Sequence, residues 1–282
     1  MAENLKPDSS FYLNGVKVNK YILNNHNTNN VALPTENIGE LKGVTIHNTN
    51  DLIGVRDSAQ RYTQATLDGD MNDVRVHFYV AELGAWQNLE TDSTSWHAAD
   101  GEDGPGNSQT ISIECIMSST DDPTSLKSRD NAARLAAYLL YANGLDESSL
   151  YNHTHWLNVR DGITGTTDYL NTLQNPYKYC PEFLLPDWYG FKAQVAKYID
   201  DLETYGGDSF TPFRVIVTAD VLNVRQCPGT DCRINAQIFR GEVYNIINVA
   251  EADGEDWGEL LSGAGWICLK YTRKLEDQQF TG

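Results

Sequence analysis

The sequence predicts an α/β domain followed by a small all-β domain. Between residues 43 and 205, strand-like and helix-like apolar patterns alternate, as expected where strands pack against helices. The residues that follow are rich in Gly, Ser and Pro, which is typical of a linker. After residue 213, short strand-like runs alternate with turns over roughly 60 residues, a spacing typical of a small barrel or sandwich. We therefore predict a first domain at 1–205, a linker at 206–213 and a second domain at 214–282.

Apolar runs and alternating patterns predict the strands of the first domain at 15–22, 43–47, 74–80, 84–87 and 109–117. The piece at 15–22 belongs to an arm, residues 1–40, that is rich in Asn, Pro and Ser. We expect this arm to lie on the surface of the domain. The segment 84–87 is the return strand of a hairpin, and the last strand is apolar except for the carboxylate of Glu114.

Helical spacing of apolar residues predicts three helices in the first domain. The first covers 58–67, with Ser58 as its cap and Gly69 as its stop. The second begins at a Ser128 cap and ends at Gly144, because glycine readily adopts the conformation that terminates a helix. The third begins near Asp187 and runs to the linker.

The charge of the chain excludes one class of function. It contains 39 acidic and 21 basic residues, for a formal net charge of −18. A nucleic-acid-binding protein needs a basic face to neutralise phosphates, so we expect no nucleic-acid partner. No apolar run approaches the ~18 residues of a transmembrane helix, so we expect no membrane insertion. The first ten residues lack the apolar region of a signal peptide, which predicts synthesis in the cytoplasm.

A histidine ends the strand pattern at 43–47 and small polar residues follow it. By itself His47 fits a hydrogen-bonded structural histidine as well as a functional one. Later in the chain, His153 and Cys180 supply two more donors of the kinds that zinc accepts. Three protein ligands leave a fourth position open for water, as in catalytic zinc sites. These donor types permit a zinc site, and scattered residues without a common function are the alternative.

An ordered series of motifs resembles the zinc-dependent N-acetylmuramoyl-L-alanine amidases of the amidase-2 type, which are related to peptidoglycan recognition proteins. The likeness covers roughly residues 40 to 200. The motifs are Val-Thr-Ile-His47-Asn-Thr, Val76-His-Phe-Tyr-Val with Trp86-Gln, Ser95-Trp-His-Ala-Ala-Asp-Gly101, Gly106-Asn-Ser-Gln-Thr-Ile-Ser-Ile-Glu114, His153-Thr-His-Trp and Lys178-Tyr-Cys-Pro. The resemblance implies a mixed central sheet flanked by helices.

The resemblance also assigns roles to individual residues. It implies that His47, His153 and Cys180 bind Zn²⁺ and that Glu114 is the carboxylate that activates water. Lys178 corresponds to the lysine that stabilises the tetrahedral intermediate. Trp96 and His97 correspond to a segment near the groove, which implies that they contact substrate.

The chain departs from the family pattern after Trp156. A segment at about 157–176 separates this residue from Lys178, where the family has a compact motif. The departure leaves two candidates for the second ligand, and the family alignment favours His153 over His155. We expect the inserted segment to lie beside the groove and to influence the choice of substrate.

Other side chains have simpler interpretations. His77, in an alternating strand, is expected to be a structural histidine. Cys115 follows Glu114 and therefore faces the other side of the strand, where we expect an inert core thiol. Cys227 and Cys232 are close enough in sequence to form a disulfide in an oxidising setting, but the sequence does not decide whether they do.

The second domain resembles bacterial SH3-like (SH3b) modules. The motifs are Leu222-Asn-Val-Arg225 before a Pro-Gly turn and Gly265-Trp-Ile267 near the end. The resemblance implies a small SH3-like barrel that holds the protein to cell-wall glycan or peptide. The alternative is that the aromatic residues only fill the core, and we place Trp266 there.

Together these resemblances imply a peptidoglycan hydrolase that cleaves the amide between N-acetylmuramic acid and L-alanine of the stem peptide. A catalytic domain joined to an SH3b module is similar to a phage endolysin that reaches the wall after release, or to a bacterial autolysin. Two alternatives are a peptidoglycan-recognition protein that binds without cutting and a zinc hydrolase that cuts another peptide amide.

Overall fold

The chain forms two compact units, Met1–Gly207 and Asp208–Gly282. The computed structural model describes residues 5–49, 58–162, 179–205, 213–262 and 264–275. The predicted linker therefore lies almost wholly outside the described residues, as do the greater part of the 157–176 segment and Lys178. Within the described ranges, no helix combines the length and apolar character needed to cross a membrane.

The first unit is built on a seven-stranded mixed sheet. Its elements in chain order are β1 (Ser9–Leu13), β2 (Val16–Lys20), α1 (Leu23–His26), β3 (Gly43–Thr49), α2 (Ser58–Asp68), β4 (Phe78–Ala81), β5 (Gly84–Gln87), α3 (Pro105–Gln109), β6 (Thr110–Ile116), α4 (Pro123–Ala142), β7 (Leu150–Asn152), α5 (His153–Arg160) and α6 (Trp188–Tyr205). The strand order is β1-β2-β5-β4-β6-β3-β7. The pairs β2/β5, β4/β6, β6/β3 and β3/β7 are parallel, and β1/β2 and β4/β5 are antiparallel. The predicted α/β class with a mixed sheet flanked by helices is confirmed.

The main core lies between one face of this sheet and the helices α4 and α6. Period-two alternation sends Val44 and Ile46 of β3, and Ile111 and Ile113 of β6, to this face. Phe191 is one of the α6 residues packed against them. A second cluster, which includes Tyr79 and Leu67, covers part of the opposite face beneath α2.

Two expectations for the first unit are wrong. The arm is not only a surface segment, because β1 and β2 extend the central sheet and Val16 and Val18 are buried in its core. The long helix begins at Pro123, with Asp122 as its N-cap, instead of at Ser128. Its first turn is polar, so the apolar periodicity that marks a buried helix begins one turn later.

The second unit is a single antiparallel sheet. Its strands are β8 (Phe213–Val217), β9 (Val221–Arg225), β10 (Ile234–Phe239), β11 (Val243–Ala252), β12 (Glu255–Leu260), β13 (Trp266–Cys268) and β14 (Thr272–Lys274). Their order is β10-β9-β13-β12-β11-β8-β14. This all-β arrangement is compatible with an SH3-like domain. A disulfide joins Cys227 to Cys232 within the loop after β9.

The core of the second unit is mainly aliphatic. Ile267 is fully buried there, so its neighbour Trp266 faces the other side of β13 and is only half-buried. The expectation that Trp266 lies in the core is therefore wrong. Trp257 is the buried tryptophan, and its indole N–H donates to the Ala252 carbonyl at 3.0 Å.

Candidate metal centre

Three neighbouring parallel strands, β6, β3 and β7, end at the same edge of the central sheet. His47 lies near the end of β3 and is in register with Glu114 of β6. The two side chains share one face of the sheet, and their strands lie about 4.8 Å apart. Where β7 ends, α5 begins with His153 as its first residue. The fold thus brings two histidines and a carboxylate to one edge.

Three donor atoms converge at this edge. His47 Nδ1 lies 3.1 Å from His153 Nδ1 and 3.6 Å from Cys180 Sγ. All three side chains are buried, and their donor atoms lie within 4.8 Å of one another. In the described part of the chain, these three residues are the group of His, Cys, Asp or Glu side chains that lie close enough together to hold a metal ion.

The separations fit a zinc ion. With Zn–N near 2.05 Å and Zn–S near 2.3 Å, tetrahedral angles place two nitrogen ligands about 3.3 Å apart and a nitrogen and a sulfur about 3.6 Å apart. The observed 3.1 and 3.6 Å are close to these values. Two imidazoles and one thiolate are also ligands that zinc prefers. The donor types and the two separations from His47 Nδ1 therefore fit a three-ligand zinc site with one open position.

A backbone carbonyl fixes the orientation of His153. Its Nε2 lies 3.1 Å from the carbonyl oxygen of Ala98, which can only accept a hydrogen bond. In the neutral ring, Nε2 therefore carries the hydrogen and Nδ1 carries the lone pair that faces the donor cluster. This arrangement, a ligand histidine donating its other N–H to a carbonyl, recurs in metal sites.

Cys180 is held by hydrogen bonds from α5. The backbone N–H and the hydroxyl of Thr154 both donate to the Cys180 carbonyl, each at 3.2 Å. The residue that follows the ligand candidate His153 thus fixes the backbone of a second ligand candidate. Lys178 lies outside the described residues, so its predicted role stays a prediction.

Glu114 is 9% exposed and accepts a hydrogen bond from a neighbouring strand. The hydroxyl of Thr49 donates to Glu114 Oε2 at 2.7 Å. A hydrogen bond to a carboxylate oxygen limits the rotation of the group. The carboxylate is therefore oriented at the same edge as the three donors.

His155 occupies a different environment from His153. Two residues along a helix correspond to a rotation of about 200°, so the two side chains leave α5 on opposite sides. The ring of His155 lies against Tyr151 and Trp156, with ring centroids 5.0 and 4.6 Å apart. Of the two candidates for the second ligand, the structure brings His153 to the donor cluster.

His97 contacts the donor cluster through Nε2 of His47, the ring nitrogen that does not face His153 and Cys180. Its Nδ1 lies 2.7 Å from His47 Nε2, and its Nε2 lies 3.0 Å from the Gly106 carbonyl oxygen. Burial, together with the neighbouring His153 and His77, holds the pKa of His97 well below its usual value. The other predicted substrate contact, Trp96, is partly exposed and pairs through its backbone with Arg75. The predicted substrate contacts of these two residues stay predictions.

The two residues predicted to be structural occupy ordinary core positions. His77 accepts a hydrogen bond from the Ser112 backbone N–H at 3.0 Å and donates to the Ser93 carbonyl at 2.9 Å. Burial lowers its pKa to about 4. Cys115 is fully buried among aliphatic residues, and burial raises the pKa of its thiol far above the usual value.

Sequence reasoning missed several residues that support the site. Thr45 and Thr49 share a face of β3 with His47, so the alternation of the strand could have identified them. Thr45 links Trp156 to Thr110, because it accepts from the indole N–H at 2.7 Å and lies 2.8 Å from the Thr110 hydroxyl. Asn107 and Gly106 also support the site, because the Asn107 side chain and the Gly106 carbonyl both accept hydrogen bonds from His97. These contacts depend on the tertiary fold and leave no local signal in the sequence.

Comparison with known families shows to which family the chain belongs. The family model described as N-acetylmuramoyl-L-alanine amidase (Amidase_2) matches residues 37–181. The chain belongs to this family. The match includes His47, Glu114, His153 and Cys180. Enzymes of the family are zinc-dependent, in agreement with the donor cluster.

Curated relatives carry the same family description. N-acetylmuramoyl-L-alanine amidase XlyB of Bacillus subtilis (strain 168) is 25% identical over 197 residues, which are 69% of this chain and 53% of XlyB. N-acetylmuramoyl-L-alanine amidase CwlA of the same organism is 23% identical over 216 residues, covering 74% of this chain and 70% of CwlA. The chain thus spans about half the length of XlyB.

Two of the solved structures with a similar fold are catalytic domains. The PlyG catalytic domain is 23% identical, covers 64% of this chain and 94% of that chain, and superposes with a TM-score of 0.49. The catalytic domain of XlyA is 23% identical, covers 63% of this chain and 98% of that chain, and has a TM-score of 0.46.

Proposed function

We propose that the protein hydrolyses the amide between N-acetylmuramic acid and L-alanine in peptidoglycan. The observation that carries the proposal is the convergence of His47, His153 and Cys180, with Glu114 in register beside His47, inside the matched family region. The 23–25% identity to two curated amidases supports the same reaction.

Each residue has a defined task in this proposal. His47, His153 and Cys180 hold zinc, which when bound supplies Lewis-acid activation of a water molecule and of the amide carbonyl. Glu114, oriented by Thr49, accepts a proton from the attacking water as the new C–O bond forms. It then returns that proton to the nitrogen as the C–N bond breaks, so that the stem peptide leaves with L-alanine as its free amino terminus. Lys178 is proposed to stabilise the negative charge on the carbonyl oxygen.

We also propose that the second unit anchors the protein to the bacterial cell wall. The all-β sheet and the SH3b-like motifs support this role. In this proposal the whole protein acts as an endolysin or autolysin on the wall, with peptidoglycan as both substrate and anchor.

The first experiment identifies the bond that is cut. Purified peptidoglycan is incubated with the full chain, and the new amino termini are labelled and sequenced. We expect L-alanine as the new amino terminus of the stem peptide, whereas a different amino-terminal residue would indicate cleavage of another amide, and no new amino terminus would favour a protein that only binds.

Glu114→Gln is the matched test of the mechanism, because it preserves shape and hydrogen bonding but removes the base. We expect the rate at which amino-terminal L-alanine appears on the stem peptide to fall about 10²- to 10⁴-fold, the range for loss of a general acid–base group. Zinc content, measured by elemental analysis, should not change. A variant that retains full activity with zinc bound would disprove the role of Glu114.

A further inference from the structure

A single dipeptide, His97-Ala98, contacts both histidines of the donor cluster. The His97 ring lies 2.7 Å from Nε2 of His47, and the Ala98 carbonyl oxygen lies 3.1 Å from Nε2 of His153. The rings of His97 and His47 are nearly perpendicular, at 89°, so that an edge nitrogen of each can meet in a hydrogen bond. Two ligand candidates from different elements are thus oriented by adjacent residues.

The direction of the hydrogen bond between His97 and His47 follows from what each ring contacts through its other nitrogen. At one end, the Gly106 carbonyl can only accept, so Nε2 of His97 carries a hydrogen. In the neutral ring, Nδ1 of His97 is then an acceptor, and the hydrogen shared with His47 belongs to His47 Nε2. At the other end, a neutral His47 with its hydrogen on Nε2 presents a lone pair at Nδ1, the atom that faces His153 and Cys180.

The dipeptide itself is held by one side chain. The Asn107 Oδ1 atom accepts from the backbone N–H groups of both His97 and Ala98, each at 2.8 Å. The Asn107 amide also donates to the Gly101 carbonyl at 2.9 Å. Asn107 lies next to Gly106, whose carbonyl binds His97, so α3 fixes both the backbone and the ring of His97.

We propose that His97 is a positioning residue for the metal centre. It fixes the ring orientation and the Nε2–H tautomer of His47, so that Nδ1 is available to the metal ion. Ala98 serves His153 in the same way through its carbonyl. The usual partner of a ligand histidine is a carboxylate, a backbone carbonyl or water, and here a second histidine relays the contact to a carbonyl.

This inference rests on the proposed metal centre and goes beyond it. A substrate contact predicts an effect of His97 on KM and none on the metal. A positioning role predicts weaker zinc binding in the absence of any substrate. Metal affinity therefore separates the two roles.

The experiment measures zinc affinity of the full chain by competition with a chromophoric chelator at fixed pH. The variants are His97→Leu, which removes both polar atoms, and His97→Gln, which retains one acceptor and one donor. Asn107→Ala tests the clamp without altering a histidine. His77→Gln is the matched control, because His77 is also buried but hydrogen-bonds to Ser93 and Ser112 instead.

We expect zinc affinity to fall about 10- to 100-fold in His97→Leu, as for the loss of other groups that orient metal ligands. His97→Gln should recover most of that loss, and His77→Gln should bind zinc as the wild type does. In the metal-free wild type, nitrogen NMR of the histidine rings should show His47 as the Nε2–H tautomer, and His97→Leu should show a mixture.

The outcomes distinguish this inference from the proposed function. If the wild type binds no zinc, the metal centre itself is wrong. If the wild type binds zinc and a folded His97→Leu variant binds it equally well, the positioning role alone is wrong. If His97→Leu does not fold by circular dichroism, Asn107→Ala decides. Unchanged zinc affinity together with an unchanged His47 tautomer in a folded Asn107→Ala variant would then overturn the inference.

Discussion

The two faces of the central sheet differ although the same strands form both. On the face beneath α4 and α6, β3 and β6 present Val44, Ile46, Ile111, Ile113 and Cys115. On the other face, the same two strands present Thr45, His47, Thr110, Ser112 and Glu114. Both sets are buried, so exposure to water does not explain the difference.

Buried polar groups must be hydrogen-bonded, and the polar face meets this requirement with a network. The Trp156 indole N–H donates to Thr45, Thr45 contacts Thr110, and Thr110 donates to the Gly106 carbonyl at 2.6 Å. Among the described residues, the buried side-chain atoms without a hydrogen-bond partner are Asn88 Nδ2, Arg129 Nε and Asn152 Nδ2, none of which belongs to these five positions. The apolar face stabilises the fold by burial, whereas the hydrogen bonds of the polar face fix the positions of the side chains around His47 and Glu114.

Two buried cysteines provide the largest test of this difference. Cys180 lies in the donor cluster, whereas Cys115 lies on the apolar face. We expect Cys180→Ala to lower zinc affinity by more than about 100-fold, since losing a ligand should exceed the 10- to 100-fold loss caused by removing its supports. Cys115→Ala should leave zinc affinity unchanged. Equal zinc content in the two purified variants would contradict the assignment of Cys180.

Adjacent residues of β6 sharpen the comparison. Ile113 is fully buried on the apolar face, and Glu114 follows it on the polar face. We expect Ile113→Ala to lower the free energy of unfolding by about 2–5 kcal/mol because it leaves a cavity, without changing zinc affinity in the folded protein. Urea unfolding of Ile113→Ala and Glu114→Gln provides the measurement. A larger loss of stability in the glutamate variant would refute the division between the faces.

The pH dependence of stability tests the cost of burying a polar group. Burial lowers the pKa of His77 to about 4 from 6.5, so the unfolded chain binds a proton more readily than the native protein. Stability from this residue is therefore complete above pH 6.5 and is lost as pH falls from 6.5 towards 4. The full difference corresponds to about 3 kcal/mol.

The measurement is denaturant unfolding at intervals between pH 7 and pH 4 for the wild type and His77→Gln. The glutamine variant should show a flatter decline, because carboxylates titrate in both proteins and only the histidine differs. Parallel curves would show that His77 does not titrate with a lowered pKa.

Local patterns predicted most of the elements that form this site. The apolar run before His47, the return strand β5 and the strand that carries Glu114 agree with the predicted bounds to within about two residues, whereas β4 begins at Phe78, four residues after the predicted start at 74. The start of α4 was missed although Asp122 and Pro123 are a typical cap and first residue of a helix. The two signals disagree because the first turn of α4 is polar, so apolar periodicity favours a later start than the capping residues do.

Contacts between distant segments could not be predicted from patterns alone. His47 and His97 are 50 residues apart, and a single sequence contains no physical signal that they touch. The pairing of β1 and β2 with the central sheet was missed for the same reason, because β2 pairs with β5 across a long stretch of chain. Family resemblance supplied the order of the ligand candidates, but it did not supply the hydrogen bonds that orient them.

The donor cluster joins parts of the chain that are far apart in sequence. His47 is separated from His153 by 106 residues and from Cys180 by 133. A bound ion would therefore act as a cross-link that closes two long loops, and the entropy of closing a loop rises only slowly with its length. Since an ion that binds only the folded chain favours that state, the thermal stability of the first unit would depend on the concentration of free zinc. The free zinc in its surroundings would then decide whether the first unit stays folded, in addition to the role of the site in the proposed hydrolysis.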